Sequence, residues 1–497
     1  MSSAFSPIRA VACLVMVAGC SPRGASASAN GRSSKGVDAA VPVPAQPANW
    51  DADLRMAEAT DINPDPNVVE VNLEARVQML PILPASADGA PPPQTPMWTY
   101  NGTVPGPLIR AKRGDRVIVH LRNSLPEATT IHWHGMRVPN AMDGSPMVQA
   151  PVNRGSTFDY SFVVQDAGTF WYHPHLDSSA QVGYGLYGAL VVEDATEPPL
   201  GDELVLMLSD VSLNDDGTLR PGNDLGWFGD YFGREGTTLL VNGKVRPKLR
   251  MRAGVPQRWR LIDASRAKYH RFVAGGVGLT RVAGDFGLSA VPVAVERVDL
   301  TPGEREEVVA VADAPPGTSI VSMSQDPDRV HSGVPEADAP LFDIDVTSDA
   351  PASGFALPTA FGNVQPIDVS NASTRAISFD EVVVNDAGAL GINGKSSTNM
   401  ADMTTVHVRV GATEVWTVTN NTSQDHPFHM HGFPFQVLSL GGSPPAALEW
   451  RDTVNVVAKS TLQFAVTFDD RPGMWMFHCH ILDHADMGMM AMLVVDP

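Results

Sequence analysis

The chain has 497 residues, enough for about three domains of ordinary size. Apolar residues make up 43% of it, so packed cores are available throughout. A formal charge of -20 excludes the basic surface that nucleic acid or an anionic membrane would require.

Residues 1–20 place Arg9 ahead of the apolar run "AVACLVMVAG". That run is shorter than the roughly 20 residues of a membrane-spanning helix and has the form of a signal peptide. Its end, "VAGC", resembles a bacterial lipobox, in which Cys20 would be lipidated and become the mature N-terminus. A signal peptide cut elsewhere is the alternative. Cys13 also lies in this leader, so lipidation at Cys20 leaves Cys479 as the one thiol and removes any internal disulfide. Residues 21–59, rich in Ser, Gly, Ala and Pro, read as a flexible tether. The expected location is the bacterial cell envelope, with membrane contact only through the N-terminal lipid.

From residue 60 onward, runs rich in Val, Ile, Leu and Thr alternate with Gly, Pro and Asn-Gly punctuation, as in "VVEVNLEARVQML", "DRVIVHL" and "EVWTVTN". The reading is all-β with sandwich spacing. The pattern also repeats. Asn-Gly recurs at 101–102, 242–243 and 393–394, and a second marker gives "GTFWYHPH", "GTSIVSMS" and "GMWMFHCH". Three related β-sandwiches are expected, over residues 60–197, 198–350 and 375–497, with a Pro/Ala/Ser-rich linker at 351–374.

Ten of the fourteen histidines fall in four clusters. In chain order these are His132 and His134 in "HWHG", His173 and His175 in "HPH", His426, His429 and His431 in "HPFHMHG", and His478, His480 and His484 in "HCHILDH". On a strand, residues two apart face the same way, so each H-x-H presents two imidazoles to one side. Neutral imidazoles in such numbers point to copper, zinc or iron. The remaining histidines, His120, His270, His331 and His407, stand alone and read as ordinary core or surface residues. In "HCH" the cysteine faces away from its neighbours. With His426, His484 and Met489, Cys479 completes the two-histidine, thiolate and weak thioether set of a blue-copper electron-transfer site. One short stretch thus joins two metal centres. The middle unit has Ser322 and Ser324 where the others have histidines, and it reads as a spacer without copper.

These motifs, in this order, resemble those of the three-domain multicopper oxidases, the laccase-like family of cupredoxin repeats. The resemblance implies three cupredoxin-like Greek-key sandwiches and four coppers per chain. By position, His426, Cys479, His484 and Met489 would hold the type 1 copper, and His132 and His429 the type 2 copper. His134, His173 and His480 would hold one type 3 copper, and His175, His431 and His478 the other. The implied partners are dioxygen and a small-molecule or metal-ion electron donor, and the chain is expected to be a monomer.

Dioxygen reduction consumes protons, so carboxylates matter. Asp143 in "NAMDGSP" resembles the family's acid beside the dioxygen site, with a plain Asp-Gly turn as the alternative. Bacterial relatives often carry a glutamate directly after the last type 1 histidine; here Ala485 stands there, and Asp486 follows as the substitute. Met474, Met476, Met487, Met490 and Met492 read as core packing, with Cu(I) binding as the alternative. The aromatic loop "LGWFGDYFGREG" reads as packing on the middle unit, with the border of a donor site as the alternative. The functional expectation is a laccase-like oxidase of phenolic or similar donors. The competing readings are a cuprous oxidase for copper tolerance and a non-catalytic copper-sequestering protein. A copper nitrite reductase fits less well, lacking two full H-x-H sets per half.

Overall fold

The computed structural model describes residues 44–85, 89–325, 337–348, 355–361 and 364–497. The expected leader with Cys20, residues 21–43 of the tether and His331 lie outside the described residues. No described helix is long and apolar enough to cross a membrane.

Among the described residues, six sheets arise in three pairs. In each pair one long strand runs parallel to a later one: Val68–Leu80 beside Arg116–Asn123, Asp202–Val211 beside Gln257–Asp263, and Ser373–Val384 beside Thr413–Asn420. The second sheet of each pair repeats the arrangement, with Gly106–Lys112 parallel to Gly188–Glu193, Lys248–Arg252 to Ala339–Thr347, and Thr404–Arg409 to Met490–Asp496. The remaining pairings in the six sheets include antiparallel neighbours throughout, giving the cupredoxin-like pattern three times.

The Asn-Gly pairs show how the sequence enforces this repetition. Asn101, Asn242 and Asn393 all have left-handed φ, at 56°, 50° and 51°. Asparagine tolerates that region because its short amide bonds locally. Each does so identically: the side-chain oxygens accept from the backbone N–H groups of Glu74, Met207 and Ser378 at 2.7, 2.8 and 2.7 Å. The turn is thereby pinned to the long strand of its own unit.

Each sandwich fills its interior from alternate strand positions. Trp133, Tyr160 and Tyr172 centre the first core, Trp259 and Phe342 the second, and Trp416, Phe428 and Phe477 the third. The expected tether ends earlier than residue 59. Leu54 is buried in the second core with Trp50 packed against it, and Gln46 bonds to Asp202 and Arg252. Apolar Trp50, Leu54 and Met56 within a polar stretch are what bind this segment down. Part of the expected linker is likewise folded, since Phe361 packs with Leu200, Val282 and Val309.

Candidate metal centre

Strand alternation builds the site. His132 and His134 flank Trp133, whose indole is committed to the first core, so both imidazoles point the other way. Across the ladder His132 pairs with His173. In the third unit His429 pairs with His478, and Phe428 with Cys479. Phe428 and Cys479 face the third core while His478 and His480 leave it. Edges of the first and third units meet, and their histidines interleave: His132 stacks on His431 and His134 on His429, each at 3.9 Å between ring centres.

Among the described residues, five sets of ligand atoms converge within 4.8 Å: His134, His173 and His480; His175, His431 and His478; His132, His134 and His429; His426, Cys479 and His484; and His132, Asp143 and His431. All of these side chains are buried. The outer nitrogens are anchored to oxygen. Nδ1–H of His132 donates to the Asp143 carbonyl at 2.8 Å, that of His173 to Pro174 at 2.9 Å, that of His429 to Asp452 at 3.1 Å and that of His478 to Cys479 at 2.9 Å. His431 Nδ1–H donates to Asp143 Oδ2 at 2.9 Å. His134 is turned round, with Nε2–H on Asp452 Oδ1 at 3.1 Å.

These anchors decide what the inner nitrogens are. A neutral ring that donates at one nitrogen keeps a lone pair at the other. Nε2 of His132, His173 and His429, Nδ1 of His134 and both nitrogens of His480 are buried with no hydrogen-bond partner. Nε2 of His478 lies 3.2 Å from that of His431 and 3.4 Å from that of His175. With His431 and His478 donating at Nδ1, their facing Nε2 atoms are both lone pairs, an arrangement that repels unless a cation lies between. Burial, reinforced by neighbouring imidazoles, also holds the rings neutral. It pushes His134, His173, His175, His431 and His480 well below the ordinary histidine range and His478 down to about 3. Neutral, oriented imidazoles with unshared lone pairs fit copper.

The thiolate set is a separate chamber. Cys479 Sγ lies 3.4 Å from His426 Nδ1 and 3.5 Å from His484 Nδ1. The remote nitrogens bond to Thr422 Oγ1 at 2.8 Å and to the Tyr231 carbonyl at 3.1 Å. Met489 is buried and tied into the same loop: its carbonyl accepts from Cys479 N–H, and its own N–H donates to the His484 carbonyl. The counterpart positions in the first unit are occupied by ordinary polar contacts, with Thr129 bonded to Gln181 and Ser179 to Asp483.

Asp143 is fully buried against the cluster. Burial alone would raise its carboxyl, yet the His431 and His132 imidazoles hold it well below the usual range. Its Oδ1 has no hydrogen bond and sits 3.5 Å from His132 Nδ1. Asp486 lies elsewhere. It accepts from Ser179 N–H at 2.7 Å and lines a cavity with Asp177, Tyr184, Gly222 and Asp483. Burial, Asp177 and Asp483 push it up to about 7.

Sequence reasoning missed Asp452, Thr453, Arg305 and Tyr231. Asp452 holds His134 and receives two bonds from the buried Arg305 of the middle unit. Burial opposes its charge, but Arg305 keeps it well below the usual carboxylate range. Asp285 braces the same spot, accepting from Asp452 and Thr453 N–H, and is pushed up to about 6 by burial and by Asp452. Two glycines permit this closeness. A Cβ on Gly135 would strike Arg305 and Asp452, and one on Gly303 would lie 2.9 Å from the His480 ring. The only local signal was a charged pair, Arg451–Asp452, heading a β-branched strand. The expected spacer therefore takes part. Its aromatic loop, read as middle-unit packing, forms the helix Trp227–Phe232, with Tyr231 packed on the third core. Lone His270 is an ordinary core residue between Ser265 and Ser324.

Comparison with known proteins accords with this geometry. The family description "Multicopper oxidase" matches three segments, residues 85–197, 203–337 and 367–497. A multicopper oxidase of Staphylococcus epidermidis is 30% identical, the alignment covering 80% of this chain and 83% of that one. The multicopper oxidase MmcO of Mycobacterium tuberculosis is 29% identical over 79% of this chain and 81% of its own. A Campylobacter jejuni multicopper oxidase, described as a metallo-oxidase, superposes with a TM-score of 0.78 at 29% identity, over 92% of this chain and 99% of that one. The chain belongs to the multicopper oxidase family, copper enzymes that oxidise electron donors and pass the electrons to dioxygen.

Proposed function

We propose that this oxidase is laccase-like, with four coppers. The type 1 ion is held by His426, Cys479, His484 and Met489, the type 2 ion by His132 and His429, and the type 3 pair by His134, His173 and His480 and by His175, His431 and His478. The observation that carries this reading is the junction at Cys479. Its thiolate belongs to one chamber, its chain neighbours belong to the other, and its carbonyl accepts from His478 Nδ1–H at 2.9 Å. When bound, copper supplies one-electron chemistry at the thiolate set and dioxygen reduction at the histidine cluster. A sequestering protein has no need of such a junction.

The chain's own groups do the remaining work. Asp143 and Asp452 orient four of the cluster imidazoles and balance positive charge there. Asp143 Oδ1, unshared and facing the cluster, is the atom proposed to handle protons. Asp486, on the cavity wall beside the turn that follows His175, is the second carboxylate in this proposal. Aromatic or phenolic donors are the favoured substrates. One observation favours a metal-ion donor instead: Met487 is 52% exposed and lines the cleft at His484. The Campylobacter relative described as a metallo-oxidase agrees with that second reading. Export and lipid anchoring at Cys20 rest on the sequence motif, and loss of fatty-acid labelling in Cys20→Ser is the expected result.

Copper analysis should give about four ions per chain and an intense thiolate-to-copper band. Cys479→Ser should abolish the band and retain the other three ions; one ion or none in the wild type sinks the proposal. Asp143→Asn should slow reoxidation by dioxygen at least about 100-fold while reduction of the blue band by donor keeps its rate. Stopped-flow measurement of the two half-reactions separates these effects, and equal reoxidation rates would remove Asp143 from the proton path.

Acid should weaken the copper-free fold. Unfolded histidines bind protons near pH 6.5, whereas the buried cluster rings, depressed as described, do not. Below that pH the unfolded chain holds more protons, so stability falls as pH drops through about 6.5. Four buried carboxyls act in the opposite sense because folding raises their proton affinity: Asp486 at about 7, Asp285 at about 6, Glu304 at about 8, and Asp263, which burial raises well above the usual carboxylate range. Six strongly depressed rings outnumber them. Thermal unfolding of the copper-free protein should therefore shift down between pH 7 and pH 5. The added stability from copper should shrink over the same range, since protons compete for the same nitrogens.

A further inference from the structure

The His484 imidazole faces the thiolate through Nδ1, and its outer nitrogen is covered. Nε2–H donates to the carbonyl of Tyr231, on the middle unit's helix Trp227–Phe232. That helix is fastened beside the histidine. The Arg234 backbone N–H and guanidinium bind the Asp483 carboxylate at 2.7 and 2.6 Å, one residue before His484, and Arg234 also pairs with Asp230 at 2.6 Å. Gln424 Nε2 donates to the same Tyr231 carbonyl at 3.1 Å. The cleft left between Trp227, Tyr231, Leu390, His484 and Met487 holds about 30 Å³, far short of the cavity of about 150 Å³ that accommodates benzene. An aromatic ring does not fit there.

Above this cap the surface is aromatic and open. Trp227 is 50% exposed, yet its ring is held in place: it stacks on Tyr231 at 5.1 Å and 24°, and its indole N–H donates to the Gly388 carbonyl at 2.7 Å. Phe228 and Leu225 beside it are 43% and 57% exposed. A fixed, half-bare tryptophan among further bare apolar side chains is an uncommon surface and marks a contact site. The surrounding charge is acidic. Three carboxylates, Asp224, Asp230 and Asp483, share two arginines, Arg234 and Arg266; burial and the nearby Glu381 raise the Tyr231 phenol, and the chain carries a formal -20.

We infer that aromatic donors do not touch His484. They stack on Trp227, and the electron crosses the Trp227–Tyr231 stack and the Tyr231–His484 hydrogen bond to the type 1 site. A copper held by His426, Cys479, His484 and Met489 would take up the one electron that each donor gives, and any proton a donor releases would pass to bulk water at this open face. Flat neutral or cationic aromatics suit the face, through stacking and attraction to its carboxylates, while anionic donors are disfavoured. This inference rests on the oxidase reading given above.

The test uses N-methylquinolinium, a flat cation that cannot serve as a donor, with saturation-transfer NMR on the full chain, copper-free and copper-loaded. Trp227→Ala should weaken its binding about 5- to 10-fold, and Trp227→Phe should stay within about 3-fold of wild type. In the loaded enzyme, kcat/KM for N,N-dimethyl-p-phenylenediamine should fall in parallel and be restored by Trp227→Phe. Unchanged probe binding in Trp227→Ala overturns the inference. So does equal loss in both variants with a lowered unfolding temperature, which would mean that the helix had collapsed. Cu(I) oxidation that depends on Met487, with aromatic oxidation indifferent to Trp227, overturns it as well by moving electron access to the thioether. A chain that binds the probe through Trp227 but shows neither blue band nor oxygen uptake would sink the oxidase reading and leave the face intact.

Discussion

Everything at this centre depends on the two-residue period of one strand end. Along Gly473–Cys479 the ladder to His426–Met430 fixes register, so Phe428 meets Cys479 and His429 meets His478. The apolar core claims Phe428, Phe477 and Cys479, and the histidines between them are driven to the opposite side. A one-residue slip would exchange the thiolate for an imidazole and ruin both chambers together. The hydrophobic core of the third sandwich is therefore also the device that sorts ligands between the two metal sets.

Placing so many imidazoles out of water requires compensation. Asp143 and Asp452 supply it from opposite sides, each holding two rings. Asp452 remains ionised because Arg305 reaches it from the middle sandwich, and Arg305 is itself completely buried. Breaking such a pair leaves an uncompensated buried charge, typically at a cost of about 3–5 kcal/mol. The middle unit holds none of the clustered histidines, yet through Arg305 and Asp452 it governs the electrostatics beside His134 and His429 and, through Tyr231, covers the outer edge of the thiolate chamber.

The three sandwiches share a backbone and differ in what fills equivalent corners. Where the third has His426 and His484, the first has Thr129 and Ser179, satisfied by Gln181 and Asp483. The Ser179–Asp483 bond crosses between units beside the Arg234–Asp483 pair. A corner without the histidine and thiolate set thus contributes to the interface that closes the corner that has it.

The sequence by itself determined the fold class, the threefold repeat and the clustered ligands. These are local patterns: Asn-Gly turns that need a left-handed residue, H-x-H pairs on strands, and a cysteine set between histidines. Period and side-chain chemistry are legible along the chain because neighbours in sequence are neighbours on a strand. It also singled out Asp143, but not that its carboxylate would take a bond from His431 of the third unit while its carbonyl took one from His132 of the first. Only the tertiary structure decided that Arg305 and Asp452 would meet although 147 residues separate them, and that residues 44–59 would join the body. It alone set the Tyr231 carbonyl over His484, from 253 residues away. A carbonyl carries no side-chain signature, and an arginine in a strand looks like any solvated charge. Their roles come from packing between sandwiches, where no sequence period reaches.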